Sequence, residues 1–204
     1  MRWKYLGLCC WMPVAHMVQA NESSNFDIVG VIKPGVCSVS LENGGALDFA
    51  SYSYFALTPG APTALREVRT ALDITCGRPS RVMFEVLDNR ADVSQLEPTK
   101  MNLGYQDTQS IGWYTVEVPG GGVTYDGRSG RSVSEQTDGS WFWDNALRHQ
   151  GVYSISKNMP LQVAEFSSAH IPLAINAYIV DQDKLDPAKP MEMDGSLSIS
   201  LRYL

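Results

Sequence analysis

NESSNFDIVGVIKPGVC (residues 21–37) decides how this chain is read. Phe26, Ile28 and Ile32 recur at every second position, with Gly30 in the same register, the period of a strand with one apolar face. The segment follows MRWKYLGLCCWMPVAHMVQA, in which Arg2 and Lys4 precede an apolar centre and Val18-Gln19-Ala20 closes on a small residue. That is the pattern of a secretory leader over residues 1–20, too short to cross a bilayer. Residues 21–33 would then be the free end of the exported protein. A free end is ordered only when something ties it down, and an apolar stripe there needs a groove to fill. Two readings follow. The segment is the first strand of its own sandwich, or it is a strand donated to a neighbouring molecule through main-chain pairing and side-chain pockets. Gly30 favours donation, because glycine within a strand marks close approach of another backbone. Burial of Phe26, Ile28 and Ile32 contributes ~1.5–3 kcal/mol each before ordering costs.

Cleavage after residue 20 leaves 184 residues, one domain with room for a core. The charge becomes −8, since Arg2 and Lys4 leave with the leader. An acidic chain of this kind is not suited to nucleic acid or to an anionic membrane. Cys9 and Cys10 also leave, so Cys37 and Cys76 remain. An even pair in an exported protein reads as a disulfide, here closing a loop of nearly forty residues. Free thiols or a metal site are the other readings. His149 and His170 lack a second ligand at helical or turn spacing, and nothing in the sequence calls for a cofactor.

Along the chain, short strands alternate with turn signals. Val39 and Leu41 precede a turn at Asn43-Gly44-Gly45, and residues 51–64 read as a short edge strand and a loop. Residues 65–76 suit a strand in their second half, and Arg81–Leu87 alternates on Val82, Phe84 and Val86 before the polar turn Asp88-Asn89-Arg90. Residues 91–110 read mostly as loop. Ile111–Val118 is β-rich, and residues 119–140, with Gly120-Gly121-Gly122 and Asp126-Gly127, read as a long surface loop with room for a hairpin. Three further strands are expected at Val152–Ser156, Leu161–Phe166 and Ile171–Ile179. The chain ends on Leu197, Ile199, Leu201 and Tyr203, alternating against Ser196, Ser198, Ser200 and Arg202. Many short strands and almost no helical period imply an all-β sandwich.

Trp141-Phe142-Trp143 either closes the end of that sandwich or stands exposed for a sugar or a partner surface. The second possibility defines an alternative function, a secreted carbohydrate- or surface-binding module. An exported enzyme would draw on Asp88, Asp126 and Asp138 with His149 or His170. No nucleophile–base motif frames these residues, and turn formation accounts for the carboxylates. The expectation is a protein that is not an enzyme.

A terminal strand at each end, with the first cysteine just inside the first of them, resembles the pilin subunits of chaperone–usher fimbriae. The sequence is most similar to the beta-fimbrial type, often catalogued as a domain of unknown function. The resemblance is carried by Gly30, Pro34-Gly35 and Cys37; by Asn43-Gly44-Gly45, Ile74 and Cys76; by Asp88-Asn89-Arg90, Leu103-Gly104 and Ile111-Gly112; and by Asp194-Gly195-Ser196 through Tyr203-Leu204. It implies an immunoglobulin-like sandwich (residues 34–204) that lacks its last strand and a donor-strand extension over residues 21–33. It further implies a donor face of Phe26, Ile28, Gly30 and Ile32 with Ser24 at its outer end. Leu197, Ile199, Leu201 and Tyr203 would border the groove. The implied partners are a periplasmic pilus chaperone, an outer-membrane usher and neighbouring fimbrial subunits, with the fimbrium on the surface of a Gram-negative bacterium. One departure is Met191, which stands where many pilins have glycine.

Overall fold

The computed structural model describes residues 37–91, 97–157 and 161–204. The leader and the proposed donor residues Ser24, Phe26, Ile28, Gly30 and Ile32 lie outside the described residues. What is described is all-β, with short 3-10 turns and no α-helix among the described residues.

Its axis is one strand of 21 residues, Val68–Asp88. The sequence suggests two strands here, and the structure joins them. The reason is parity. Leu72, Ile74 and Cys76 share a register with Val82, Phe84 and Val86, so one apolar face runs through both halves, and all six are buried. Between the halves the ladder is interrupted: Ser168 faces Thr75, whereas Phe166 faces Ser80. Gly77 and Pro79 fall in this gap, as expected for residues that weaken or cannot donate to a ladder.

The two halves carry different neighbours. The first half has Cys37–Leu41 on one edge (Cys37 opposite Cys76, Leu41 opposite Leu72) and the return strand Glu165–Ile179 on the other. The return strand contains the expected Ile171–Ile179 but only the last two residues of the expected Leu161–Phe166, where Val163 makes just an isolated bridge to Ser156, and it pairs onward with Gly112–Glu117. The second half has the terminal strand Leu197–Tyr203 on one edge (Leu197 opposite Asp88, Tyr203 opposite Val82). On its other edge follow Val152–Ser156, Arg131–Glu135 and Trp141–Trp143. All these ladders are antiparallel and belong to one sheet of thirteen strands that shares a single core. Phe84 and Tyr153 stack in it at 5.7 Å. The Tyr153 hydroxyl donates to the Ala146 carbonyl (2.9 Å) and accepts from the Arg148 N–H (2.8 Å). Burial, reinforced by the Asp144 charge, pushes its pKa up to about 12.

Two regions differ from the sequence reading, 131–135 and 97–110. Arg131–Glu135, within the expected loop, is an internal strand whose Ser132 and Ser134 are buried. Residues 51–64 hold a short strand (Thr63–Ala64), as expected, after a 3-10 turn (Tyr54–Ala56). Residues 97–110 supply three two-residue strands: Met101–Asn102, Tyr105–Gln106 and Gln109–Ser110. The hairpin at Asp126-Gly127 is present, with positive φ at both residues (45° and 72°), as a tight two-residue connection requires. The Asp126 carboxylate accepts the N–H groups of Ser167 (3.0 Å) and Ser168 (2.9 Å), fastening the hairpin to the start of the return strand. The Ser168 N–H, first among these bonds, holds its pKa below the ordinary 3.8.

A disulfide joins Cys37 to Cys76, directly across the first ladder. The loop spans a sequence separation of 39, so the C37A/C76A double variant should lose about 4 kcal/mol on the chain-entropy account, measured by urea unfolding. Asp126→Asn provides a pH test. Because the folded carboxyl is more acidic than the unfolded one, its contribution is complete above pH 3.8 and lost as pH falls below it. The stability gap between wild type and variant should therefore be constant at neutral pH and close in acid.

Candidate functional site

The candidate site begins where two strands lack a neighbour. Cys37–Leu41 and Leu197–Tyr203 each pair with the long strand on one edge, and among the described residues no strand pairs with their other edges. Their inward residues Val39, Leu41, Leu197, Ile199 and Leu201 pack on the core yet stay half-buried. Leu72, Ile74 and Val86 of the strand between them are at most 1% exposed. Among the described residues, an apolar stripe left half-buried along two open edges outlines a groove.

Specific bonds set its walls. At one end the Cys37 N–H donates to the Tyr203 hydroxyl (2.8 Å), tying first strand to last. The terminal strand is held at its start by the turn after the long strand. Asn89 donates from its side-chain amide to the hydroxyls of Ser196 (3.0 Å) and Ser198 (2.9 Å), and from its N–H to the Ser196 carbonyl (2.9 Å). Arg90 pairs with Asp194 at 2.6 Å. Asp88 is buried and spans the turn, accepting the N–H groups of Arg90 (2.9 Å) and Asn102 (2.8 Å). His149 Nδ1 accepts the Asp88 N–H (3.1 Å). The tripeptide Asp88-Asn89-Arg90 thus clamps the strand that borders the groove.

Beyond Leu197 the groove deepens into two cavities that share Ala50 and Met193. The first, about 250 Å³, is floored by Phe49, Tyr114 and Ile175; the second, about 290 Å³, by Leu57, Ile111 and Leu185. Gly195 lies so close to the Tyr114 ring that a Cβ would approach it to 2.9 Å, so glycine lets the backbone lie on the aromatic face. The Tyr114 hydroxyl is buried with no hydrogen-bond partner among the described residues, and burial drives its pKa upward. Sequence reasoning missed this floor; only Gly195 signalled it.

Of the other candidate residues, Asp138 caps its own turn by accepting from the Ser140 N–H (2.9 Å) and hydroxyl (2.6 Å), and His170 contacts Asp73 at 2.8 Å. The structure brings Asp88 and His149 together only through a backbone N–H. Trp141–Trp143 is an edge strand: Trp141 and Trp143 are half-buried, and Phe142 is 64% exposed. Arg131 lies over the Trp143 ring at 5.1 Å.

The fold and the open strand pair define an all-β, disulfide-joined domain with one apolar groove. Residues 26–118, a little under half the chain, match the family described as "Protein of unknown function (DUF1120)". The chain is 22% identical over 243 residues to Protein GltF of Escherichia coli (strain K12), spanning 97% of this chain and 96% of that protein. A further likeness is to the crystal structure of the CupB6 tip adhesin from Pseudomonas aeruginosa, with a TM-score of 0.38 and 14% identity over 72% of this chain. The chain spans about a third (33%) of that structure's length. The match agrees with the expected likeness to a family catalogued as a domain of unknown function.

Asn89→Ala removes the side-chain bonds to Ser196 and Ser198. It should lower stability by about 1 kcal/mol and speed amide exchange in Leu197–Tyr203 while leaving Cys37–Leu41 protected.

Proposed function

We propose that this chain is a structural subunit of a chaperone–usher fimbria that polymerises by donor-strand exchange and supports surface adhesion. The observation that carries this reading is the groove between Cys37–Leu41 and Leu197–Tyr203, with its unpaired edges and half-buried stripe. An immunoglobulin-like sandwich missing one strand has such an edge, and an uncovered edge of this length aggregates unless it is filled. The occupant is the 21–33 segment of a neighbouring subunit. Its Phe26, Ile28, Gly30 and Ile32 span seven residues, the length of Leu197–Tyr203, and both run at period two. Main-chain pairing to the open edge supplies affinity, and the apolar face supplies register.

Before assembly a periplasmic chaperone lends a strand to the same edge, and at the outer-membrane usher the neighbour's extension replaces it. The two cavities beyond Leu197 give the incoming strand side-chain pockets. A non-enzymatic role accords with the local bonds that engage Asp88, Asp126 and Asp138.

The test is expression of the exported chain with and without a pilus chaperone from the same source, comparing unheated and boiled samples on a denaturing gel. The expected result is a chaperone-dependent soluble complex and a ladder that collapses on boiling. Deletion of residues 21–32 should abolish the ladder and keep the chaperone complex. A soluble monomer that needs no chaperone and forms no ladder overturns the reading.

A further inference from the structure

Gly120-Gly121-Gly122 and Trp143, the last residue of Trp141-Phe142-Trp143, stand apart in the sequence and meet in the structure. They face each other across a cleft of about 550 Å³, away from the groove. That is the size of a small-ligand pocket. Its lining combines an aromatic ring with exposed polar groups. Trp143 supplies the indole. The Asn145 side-chain amide and the Gly122 N–H, both exposed, have no partner among the described residues. Arg131 is exposed, stacks on Trp143, and has no carboxylate partner among the described residues. The only carboxylate in the lining, Asp144, is neutralised by Arg148 at 2.7 Å. The cleft therefore presents one uncompensated positive charge on a protein of net charge −6.

We propose that this cleft binds a saccharide bearing a carboxylate. A sugar ring has an apolar face that packs against an indole and a rim of hydroxyls that needs both donors and acceptors. Asn145 and the bare glycine backbone supply the rim contacts. The Arg131 fork matches a carboxylate and stays charged at every physiological pH. Phe142, although the most exposed of the three aromatics, is not part of the cleft lining and takes no part. This site is separate from the groove and does not depend on strand donation.

The test is calorimetric titration of the exported chain, alone or held by its chaperone with the chaperone as blank. The probes are oligogalacturonate and sialyllactose, each beside its neutral counterpart. One of the acidic sugars should bind and its neutral counterpart bind at least tenfold more weakly. Trp143→Ala should weaken binding of the acidic sugar about tenfold or more. The surface substitution Arg131→Gln, which leaves the fold untouched, should bring acidic and neutral affinities together, and Phe142→Ala should change nothing. Failure of both acidic sugars to bind, equal binding of the neutral sugars by wild type, or loss of binding in Phe142→Ala with retention in Trp143→Ala overturns the proposal. Because the readout is sugar binding and not assembly, it stands or falls apart from the ladder experiment.

Discussion

The fold depends on the continuity of one apolar face along Val68–Asp88. A strand can serve two sets of neighbours only if its inward residues keep the same parity through the change of partners. Here they do, from Leu72 to Val86, and the interruption falls at Gly77–Pro79, where glycine and proline tolerate it. The first and terminal strands lie in succession along one edge of this strand. That placement leaves their outer edges without a neighbour among the described residues, so the groove follows from how one strand is shared, and no loop has to build it.

The strands with two-residue alternation were legible. Leu197–Tyr203 follows from side-chain period, because a half-buried strand must repeat at every second residue, and Gly112–Glu117 follows from its β-branched and aromatic content. What alternation does not carry is where one strand stops and the next begins. Val68–Asp88 reads as two strands, since Gly and Pro at the junction look like breaks, and the return strand begins at Glu165, near the end of the expected Leu161–Phe166. Arg131–Glu135 was invisible for the opposite reason. It has one large apolar residue, Val133, and turns small serines inward against Tyr153 and Ile155, so its burial is not written in hydrophobicity.

The alternation of the terminal strand was legible, and the depth beside it was not. Leu197, Ile199 and Leu201 pack on the core, as the terminal pattern requires. The floor around Tyr114, Leu103 and Met193 assembles from segments far apart in sequence, and no local pattern joins them. Asp88-Asn89-Arg90 looked like an ordinary polar turn, and its hold on Ser196, Ser198 and Asp194 appears only when the chain has returned over more than a hundred residues.

The disulfide also determines how this domain meets mechanical load. Tension applied through the chain ahead of residue 37 would ordinarily peel Cys37–Leu41 off its neighbour one hydrogen-bonded pair at a time. Cys37, however, is bonded covalently to Cys76 at the first position of that ladder. Force entering there passes at once into the long strand, which is paired on both sides, and from it into the whole sheet. Peeling is replaced by shear across many bonds at once, and the first ladder is spared.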